Sequence, residues 1–284
     1  MNAIEVSGLV KKYGRFEALR GVDLSVGQGE VFGLVGPNGA GKTTLIKALV
    51  GALRPSGGGT RVIGLDPLRD RAELRRRIGY MPQGPALYED LSARGNVAFF
   101  GAAHSTENLR KRVDEVLQFT DLSERADDPV HTFSGGMKRR VSLACALVHG
   151  PEVIFLDEPT AAVDPQLRSR FWKTFRELAG SGTTLFISTH LMDEAVLCDR
   201  IAILRQGGVI ATDTPGSIIE RGETHLVVER DGGQEKATIG GRPEDLAAAL
   251  RPYGLGRDVT AVDVETDTLE AVVLSLIEKE EVAG

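Results

Sequence analysis

Apolar and polar positions alternate at the start of the chain. Ala3-Ile4-Glu5-Val6 and Gly21-Val22-Asp23-Leu24-Ser25-Val26 have the period of two that predicts half-buried strands. Gly27-Gln28-Gly29-Glu30 is a turn. The pattern then changes to continuous apolar runs: Val31 to Val35, Val153 to Leu156 and Leu185 to Ile187. Strands buried on both faces belong to parallel sheets covered by helices. The helices show at their own spacing. One carries Leu45, Ile46, Leu49, Val50 and Leu53, another Met137, Val141, Ala144, Cys145 and Val148, and a third Leu167, Phe171, Trp172, Phe175 and Leu178. Asp164-Pro165 caps the third, and its aromatic residues read as core.

The remaining pieces fit an α/β domain with an insertion. Arg54-Pro55-Ser56-Gly57-Gly58-Gly59 reads as a loop, Arg61 to Gly64 as a short strand, and Arg69 to Arg77 as a polar helix. Ile78 to Met81 is a strand ended by Pro82, which leaves Gln83 at its C-terminal end. α/β sheets bind ligands at that end. Residues 84–150 form a helical insertion, with loops at Gly84-Pro85 and Asp127-Asp128-Pro129 and a helix over Asn108 to Phe119. Ile201 to Leu204, Gly207-Gly208 and Val209-Ile210 make a hairpin. The main domain covers 1–220. Residues 221–284 read as a small α/β accessory domain. It has strands at Thr224 to Arg230 and Glu235 to Ile239 around Asp231-Gly232-Gly233, a helix over Pro243 to Leu250, a strand over Val259 to Val264 and an amphipathic helix over Thr268 to Lys279.

Chemistry enters at Gly36-Pro37-Asn38-Gly39-Ala40-Gly41-Lys42-Thr43-Thr44. This stretch lies between a buried strand and a helix, with the spacing of a phosphate loop. Glycines let successive N–H groups turn inward to form an anion nest. The helix N-terminus adds unpaired donors and partial positive charge. Lys42 supplies a point charge for β/γ-phosphates, Thr43 a hydroxyl for Mg²⁺, and Thr44 a hydroxyl toward the α-phosphate. The chain therefore binds a nucleoside triphosphate. Val153-Ile154-Phe155-Leu156-Asp157-Glu158 ends a buried strand in two acids. Downstream of a phosphate loop, Asp157 suits the Mg²⁺ shell, and Glu158 suits orienting or deprotonating a water.

Three features stay open on residues alone. Tyr13 is either a surface aromatic or a face on which a base stacks. His190, after Thr184-Leu185-Phe186-Ile187-Ser188-Thr189, is either structural or part of the phosphate site. Lys138, Arg139 and Arg140 follow the N-cap Ser134 in a helical first turn, where cations are disfavoured. They are either a surface cluster or a seat for a polyanion.

Composition narrows the classes. With 284 residues and 42% hydrophobic positions, one large and one small domain can each bury a core. The net charge of -6 argues against a nucleic-acid binder. Cys145 and Cys198 have no metal-ligand spacing and suit a reducing compartment, buried and inert. The first residues show no signal-peptide pattern. No run approaches the ~18 apolar residues of a spanning helix.

Together these motifs resemble the nucleotide-binding subunit of ATP-binding cassette (ABC) transporters. The resemblance covers roughly residues 1–220. It implies a P-loop NTPase fold with a RecA-like parallel core, an N-terminal antiparallel β subdomain and a helical insertion. Tyr13 matches the adenine loop, Gly36 to Thr44 Walker A, and Gln83 the glutamine loop. Phe133-Ser134-Gly135-Gly136-Met137-Lys138-Arg139-Arg140 looks like the signature, Val153 to Glu158 Walker B, Asp164 the D-loop end, and His190 the switch histidine. The signature departs from the usual pattern at Phe133 and Met137, and the D-loop at Ala161-Ala162.

The resemblance implies a Mg²⁺-dependent ATPase acting as a pair of chains, with two identical copies permitted. Each ATP would lie between one Walker A and the partner's Ser134-Gly135-Gly136-Met137. It further implies that Gln83 joins Thr43 and Asp157 at the metal, and that Gln83 reports to an integral membrane permease made as a separate chain. The expected location is the cytoplasmic face of the membrane, reached only through that permease. The tail Asp267-Thr268-Leu269-Glu270 onward looks like the daunorubicin-type exporter branch. A soluble non-transport ABC ATPase is the alternative; the interval Lys42 to Ser134 shows none of the sustained heptads of its coiled-coil types.

Overall fold

The computed structural model describes every residue except 85, 162, 231–232, 254–258 and 284, and the side chains of 279–283. Pro85, Ala162, Asp231 and Gly232, named in the loop and turn readings above, lie outside the described residues. In chain order the elements are β1 (Asn2–Tyr13), β2 (Phe16–Gly27), β3 (Val31–Val35), α1 (Lys42–Leu49), β4 (Gly57–Val62), α2 (Arg71–Arg77), β5 (Ile78–Met81), α3 (Ala93–Ala103), α4 (Leu109–Phe119), α5 (Gly135–Leu147) and β6 (Val153–Asp157). There follow α6 (Pro165–Gly180), β7 (Thr184–Thr189), α7 (Met192–Ala195), β8 (Arg200–Arg205), β9 (Gly208–Asp213), α8 (Pro215–Ile219), β10 (Glu223–Arg230), β11 (Gly233–Gly240), α9 (Pro243–Leu250), β12 (Val259–Thr266) and α10 (Leu269–Ala283).

The chain packs as two compact units, Met1–Leu191 with Asp199–Thr212, and Met192–Cys198 with Asp213–Gly284. The first holds two sheets. The larger has the order β5-β6-β7-β3-β8-β9, and β5/β6, β6/β7, β7/β3 and β3/β8 pair in parallel. Every residue of β3, β6 and β7 is buried, which is why these strands read as unbroken apolar runs. Phe32 of β3 stacks on Phe186 of β7 with ring centroids 5.6 Å apart. The smaller sheet, order β2-β1-β4, is antiparallel. Helices α3, α4 and α5 form the insertion, and α4 buries Val113, Val116 and Leu117. The second unit holds the antiparallel sheet β11-β10-β12. It buries Leu226 and Val228 of β10 and Leu269, Val272 and Val273 of α10.

Two sequence expectations need correction. β1 and β2 run further than their alternating cores, up to the pair Tyr13↔Phe16, because the hairpin continues after its apolar alternation has ended. The glycines read as loop at Gly57 to Gly59 belong to β4. Gly58 has φ +78, and a Cβ there would lie 2.2 Å from the Gly8 carbonyl oxygen. Glycine is thus what lets β4 approach β1.

The imidazoles of His104, after α3, and His149, after α5, stack with centroids 4.0 Å apart. His149 donates through Nε2 to the Ile78 carbonyl at 2.9 Å. Burial, then the neighbouring His104, holds the His149 pKa down to about 4, and burial lowers that of His104. Arg75 and Arg112 are the other charges acting on the pair. The unfolded chain protonates near pH ~6.5, above the folded value. The contribution to stability is therefore complete above that pH and is lost as pH falls toward about 4. The urea midpoint is expected to drop between pH 7 and pH 5, and His149→Phe to flatten that slope.

Candidate nucleotide site

The phosphate loop is shaped by three close backbone approaches. A Cβ on Gly36 would lie 2.2 Å from the Leu204 carbonyl oxygen, and one on Gly41 2.6 Å from that of Ala18. Gly41 caps α1 at φ 111. The Gly207 N–H donates to the Ala40 carbonyl at 2.9 Å, tying the β8–β9 turn to the loop. Pro37, Asn38 and Gly39 stay exposed, with Gly39 at φ 81. Lys42 is 5% exposed. Its ammonium folds back over the loop, donating to the carbonyls of Gly36 at 2.8 Å and Pro37 at 3.1 Å. Thr43 and Thr44 lie half-buried in the first turn of α1.

The acids arrive from β6. Glu158 has φ 49, a left-handed backbone that costs a non-glycine residue about 1 kcal/mol. Its N–H donates to the Ser188 carbonyl at 3.2 Å and the Ser188 hydroxyl at 3.0 Å. Its carboxylate gathers three sequence-predicted partners. Oε1 lies 3.4 Å from Lys42 Nζ and 3.5 Å from His190 Nδ1, and Oε2 accepts from Gln83 Nε2 at 3.0 Å. Asp157 Oδ1 accepts from the Ser188 hydroxyl at 2.6 Å. Oδ2 is buried with no hydrogen-bond partner among the described residues. A buried orphan carboxylate oxygen beside an anion-binding loop fits a divalent cation. Asp157 offers this oxygen at the end of β6, Thr43 carries a hydroxyl in the first turn of α1, and Gln83 reaches the cluster through Glu158.

The other motif residues stand apart from this cluster. Ser134 caps α5, accepting from the Met137 N–H at 3.3 Å. Ser134 and Gly135 are exposed, Gly136 and Met137 half-buried. A Cβ on Gly135 would meet nothing within 4 Å, whereas one on Gly136 would lie 2.9 Å from Leu167 Cδ2 of α6. Asp164 caps α6, accepting from the Leu167 N–H at 2.9 Å. Tyr13 is 50% exposed, with Lys11 Nζ 4.8 Å from its ring centroid.

The basic turn after Ser134 resolves differently for each cation. Lys138 pairs with Glu89 at 2.6 Å and Arg140 with Asp121 at 2.9 Å. These two are ion-paired within the chain, and no external polyanion is needed to relieve them. Arg139 turns inward. Burial lowers its pKa, while the charges of Glu158 and Asp157 act in the opposite sense. Sequence reasoning missed Ser188 as a member of the site. The available signal for Ser188 was a polar residue inside an otherwise apolar strand.

Residues 19–161 match the ABC transporter family. The daunorubicin resistance ATP-binding protein DrrA3 of Streptomyces coeruleorubidus is 42% identical over 93% of this chain and 81% of its own. The linearmycin resistance ATP-binding protein LnrL of Bacillus subtilis (strain 168) is 36% identical over 96% and 89%. Among solved structures, an ATP-binding subunit of an ABC transporter superposes with TM-score 0.75 at 26% identity, over 97% of this chain and 99% of that one. A dimeric post-hydrolysis ATP-binding cassette bound to ADP and Pi gives 0.67 at 28% identity, over 74% and 98%. The chain belongs to the ABC transporter family, in the exporter branch that contains these resistance proteins. It is an ATP-binding transporter subunit, not a soluble non-transport ATPase, and its reaction is ATP hydrolysis.

The tight approach at Gly36 generates a test. Gly36→Ala places its methyl group against the Leu204 carbonyl, so the loop must shift. Binding of a fluorescent ATP analogue is expected to weaken at least ~10-fold, about 1.4 kcal/mol, while far-UV circular dichroism stays native.

Proposed function

We propose that two copies of this chain close head to tail on two ATP molecules, and that closure and hydrolysis drive export through a separate membrane permease. The observation that carries this reading is the Glu158 carboxylate. It is nearly buried and held between Lys42, His190 and Gln83.

The geometry gives each residue a task. Glu158 neutralises Lys42. An entering γ-phosphate competes for Lys42 and His190, which releases Glu158 to face the attacking water as orienter or base, worth ~10²–10⁴-fold. His190 then holds the γ-phosphate. Gln83, freed from Glu158, senses whether that group is present. Lys42 and the N–H groups of Gly39 to Thr44 cradle the phosphates, and Tyr13 offers its face to the adenine. Mg²⁺, when bound, offsets phosphate charge; Thr43, Asp157 and Gln83 are the residues to hold it. The exposed start of α5 supplies the second anion site. Gly135 has open space above it, so a partner's phosphate can reach the Ser134-Gly135-Gly136 amides, with Met137 beside them. Asp164 shapes the turn leading into α6 at the same interface.

Pro82, which precedes Gln83 in the chain, lines a cleft of about 520 Å³ with residues including Tyr80, Leu87, Phe99 and His104. Tyr88 and Phe99 stand half-exposed at 50% and 47% and meet edge to face at 4.8 Å. An exposed aromatic pair at this cleft supports this face as the permease contact. No described helix is long and apolar enough to cross a membrane, so membrane association is read as indirect. A net charge of -6 supports no role with nucleic acid. The cargo is set by the permease.

Glu158→Gln removes the charge that competes for Lys42 and the acceptor that activates water. It is expected to bind ATP more tightly and elute as an ATP-dependent dimer, with hydrolysis down at least ~10²-fold. Turnover at the wild-type rate would overturn the role given to Glu158. Phe99→Glu is expected to keep the basal ATPase activity of the isolated chain yet lose co-purification with its co-expressed permease; retention of the complex would remove this face as the contact.

A further inference from the structure

We infer that Ser188 is a positioning residue for hydrolysis, holding both acids of the site through one hydroxyl. The inference rests on the reading of Asp157 as the metal-side acid. Ser188 is fully buried at 0% exposure. The β6–β7 register sets it opposite Asp157, so the height of its hydroxyl at the strand ends is fixed by the sheet ladder. A serine hydroxyl has one proton to give and lone pairs to receive. Here the proton goes to Asp157 Oδ1 at 2.6 Å, and a lone pair receives the Glu158 N–H at 3.0 Å. A directional chain results: Glu158 N–H to Ser188 Oγ–H to Asp157 Oδ1.

Each end of this chain has a consequence. Tying Oδ1 fixes the rotation of the Asp157 carboxylate and leaves Oδ2 as the oxygen without a hydrogen-bond partner among the described residues. That oxygen is thereby aimed, and cannot exchange places with its twin. At the other end, the bond secures the Glu158 backbone at φ 49, which sends its side chain to Lys42, His190 and Gln83. Without the hydroxyl, Asp157 can turn and Glu158 loses one restraint on its left-handed turn. The phosphate loop itself does not depend on Ser188. Its glycines are set by Leu204 and Ala18.

The test separates metal orientation from general stability. Affinity for a fluorescent ATP analogue is measured in EDTA and across a Mg²⁺ titration, alongside steady-state hydrolysis. Ser188→Ala is expected to bind the analogue normally in EDTA. It is expected to need ~10-fold more Mg²⁺ for half-saturation, within the 10–100-fold range for losing a residue that orients a metal ligand. Its kcat falls at saturating Mg²⁺ while its KM for ATP holds. Ser188→Thr keeps the hydroxyl and is expected to recover the Mg²⁺ dependence; Ser188→Val, of the same shape, is not. The Thr and Val pair carries the comparison if the alanine variant fails to fold. Wild-type Mg²⁺ dependence and turnover in Ser188→Ala, equal behaviour of Thr and Val, or equal loss of binding with and without Mg²⁺ would each overturn the inference. Asp157→Asn tests the underlying reading separately. If it leaves the Mg²⁺ dependence unchanged, the assignment of Asp157 fails first; if it shifts that dependence and Ser188→Ala does not, only the role of Ser188 fails.

Discussion

A buried carboxylate facing a buried ammonium is the constraint on which this structure turns. Lys42 and Glu158 lie 3.4 Å apart, with side chains only 5% and 8% exposed. Desolvating two charges is costly, and the pair is tolerable only with good geometry and further hydrogen bonds. Lys42 finds these in the loop carbonyls, and Glu158 in Gln83. Each charge holds a partner that a phosphate or a water can replace. The close packing around Gly36 and Gly41 and the left-handed turn at Glu158 follow from bringing these two groups together from different strand ends.

Much of this was legible because phosphate chemistry prescribes residue types at short, fixed spacing. Gly36 to Thr44 and the Asp157-Glu158 pair after an apolar strand are local patterns, and β3, β6 and β7 announced themselves by continuous burial. The second unit was also readable. Thr224, Leu226 and Val228 are buried in an antiparallel sheet and alternate with the more exposed His225, Val227 and Glu229. What sequence did not show was mostly long-range. Lys138 and Arg140 looked like cations in the wrong place because their acids, Glu89 and Asp121, lie far along the chain. Ser188 passed as an ordinary strand residue because its partners come from β6. Gly57 to Gly59 looked like a loop because glycine signals turns, whereas here it permits a close strand approach.

The insertion helices show how local signals and tertiary demands combine. α3 and α5 begin with capping serines: Ser92 accepts from the Gly95 N–H and Ser134 from that of Met137. A side-chain cap satisfies one donor of the first turn and leaves others free. In α3 the cap only starts a helix. In α5 it leaves Gly135 exposed beside open space, and the same local device is the second anion site of the proposed dimer.

The internal ion pairs of α5 carry a further consequence. With Lys138 matched by Glu89 and Arg140 by Asp121, two of the three cations in this first turn have an acid partner within the chain. Oriented amides act over a turn or less, whereas unmatched cations act over a Debye length of ~10 Å. In the proposed dimer, the matched cations add little long-range pull on a phosphate, which leaves this face to recognise it mainly at contact. Closure of such a dimer would then depend on fit at the interface more than on attraction from a distance.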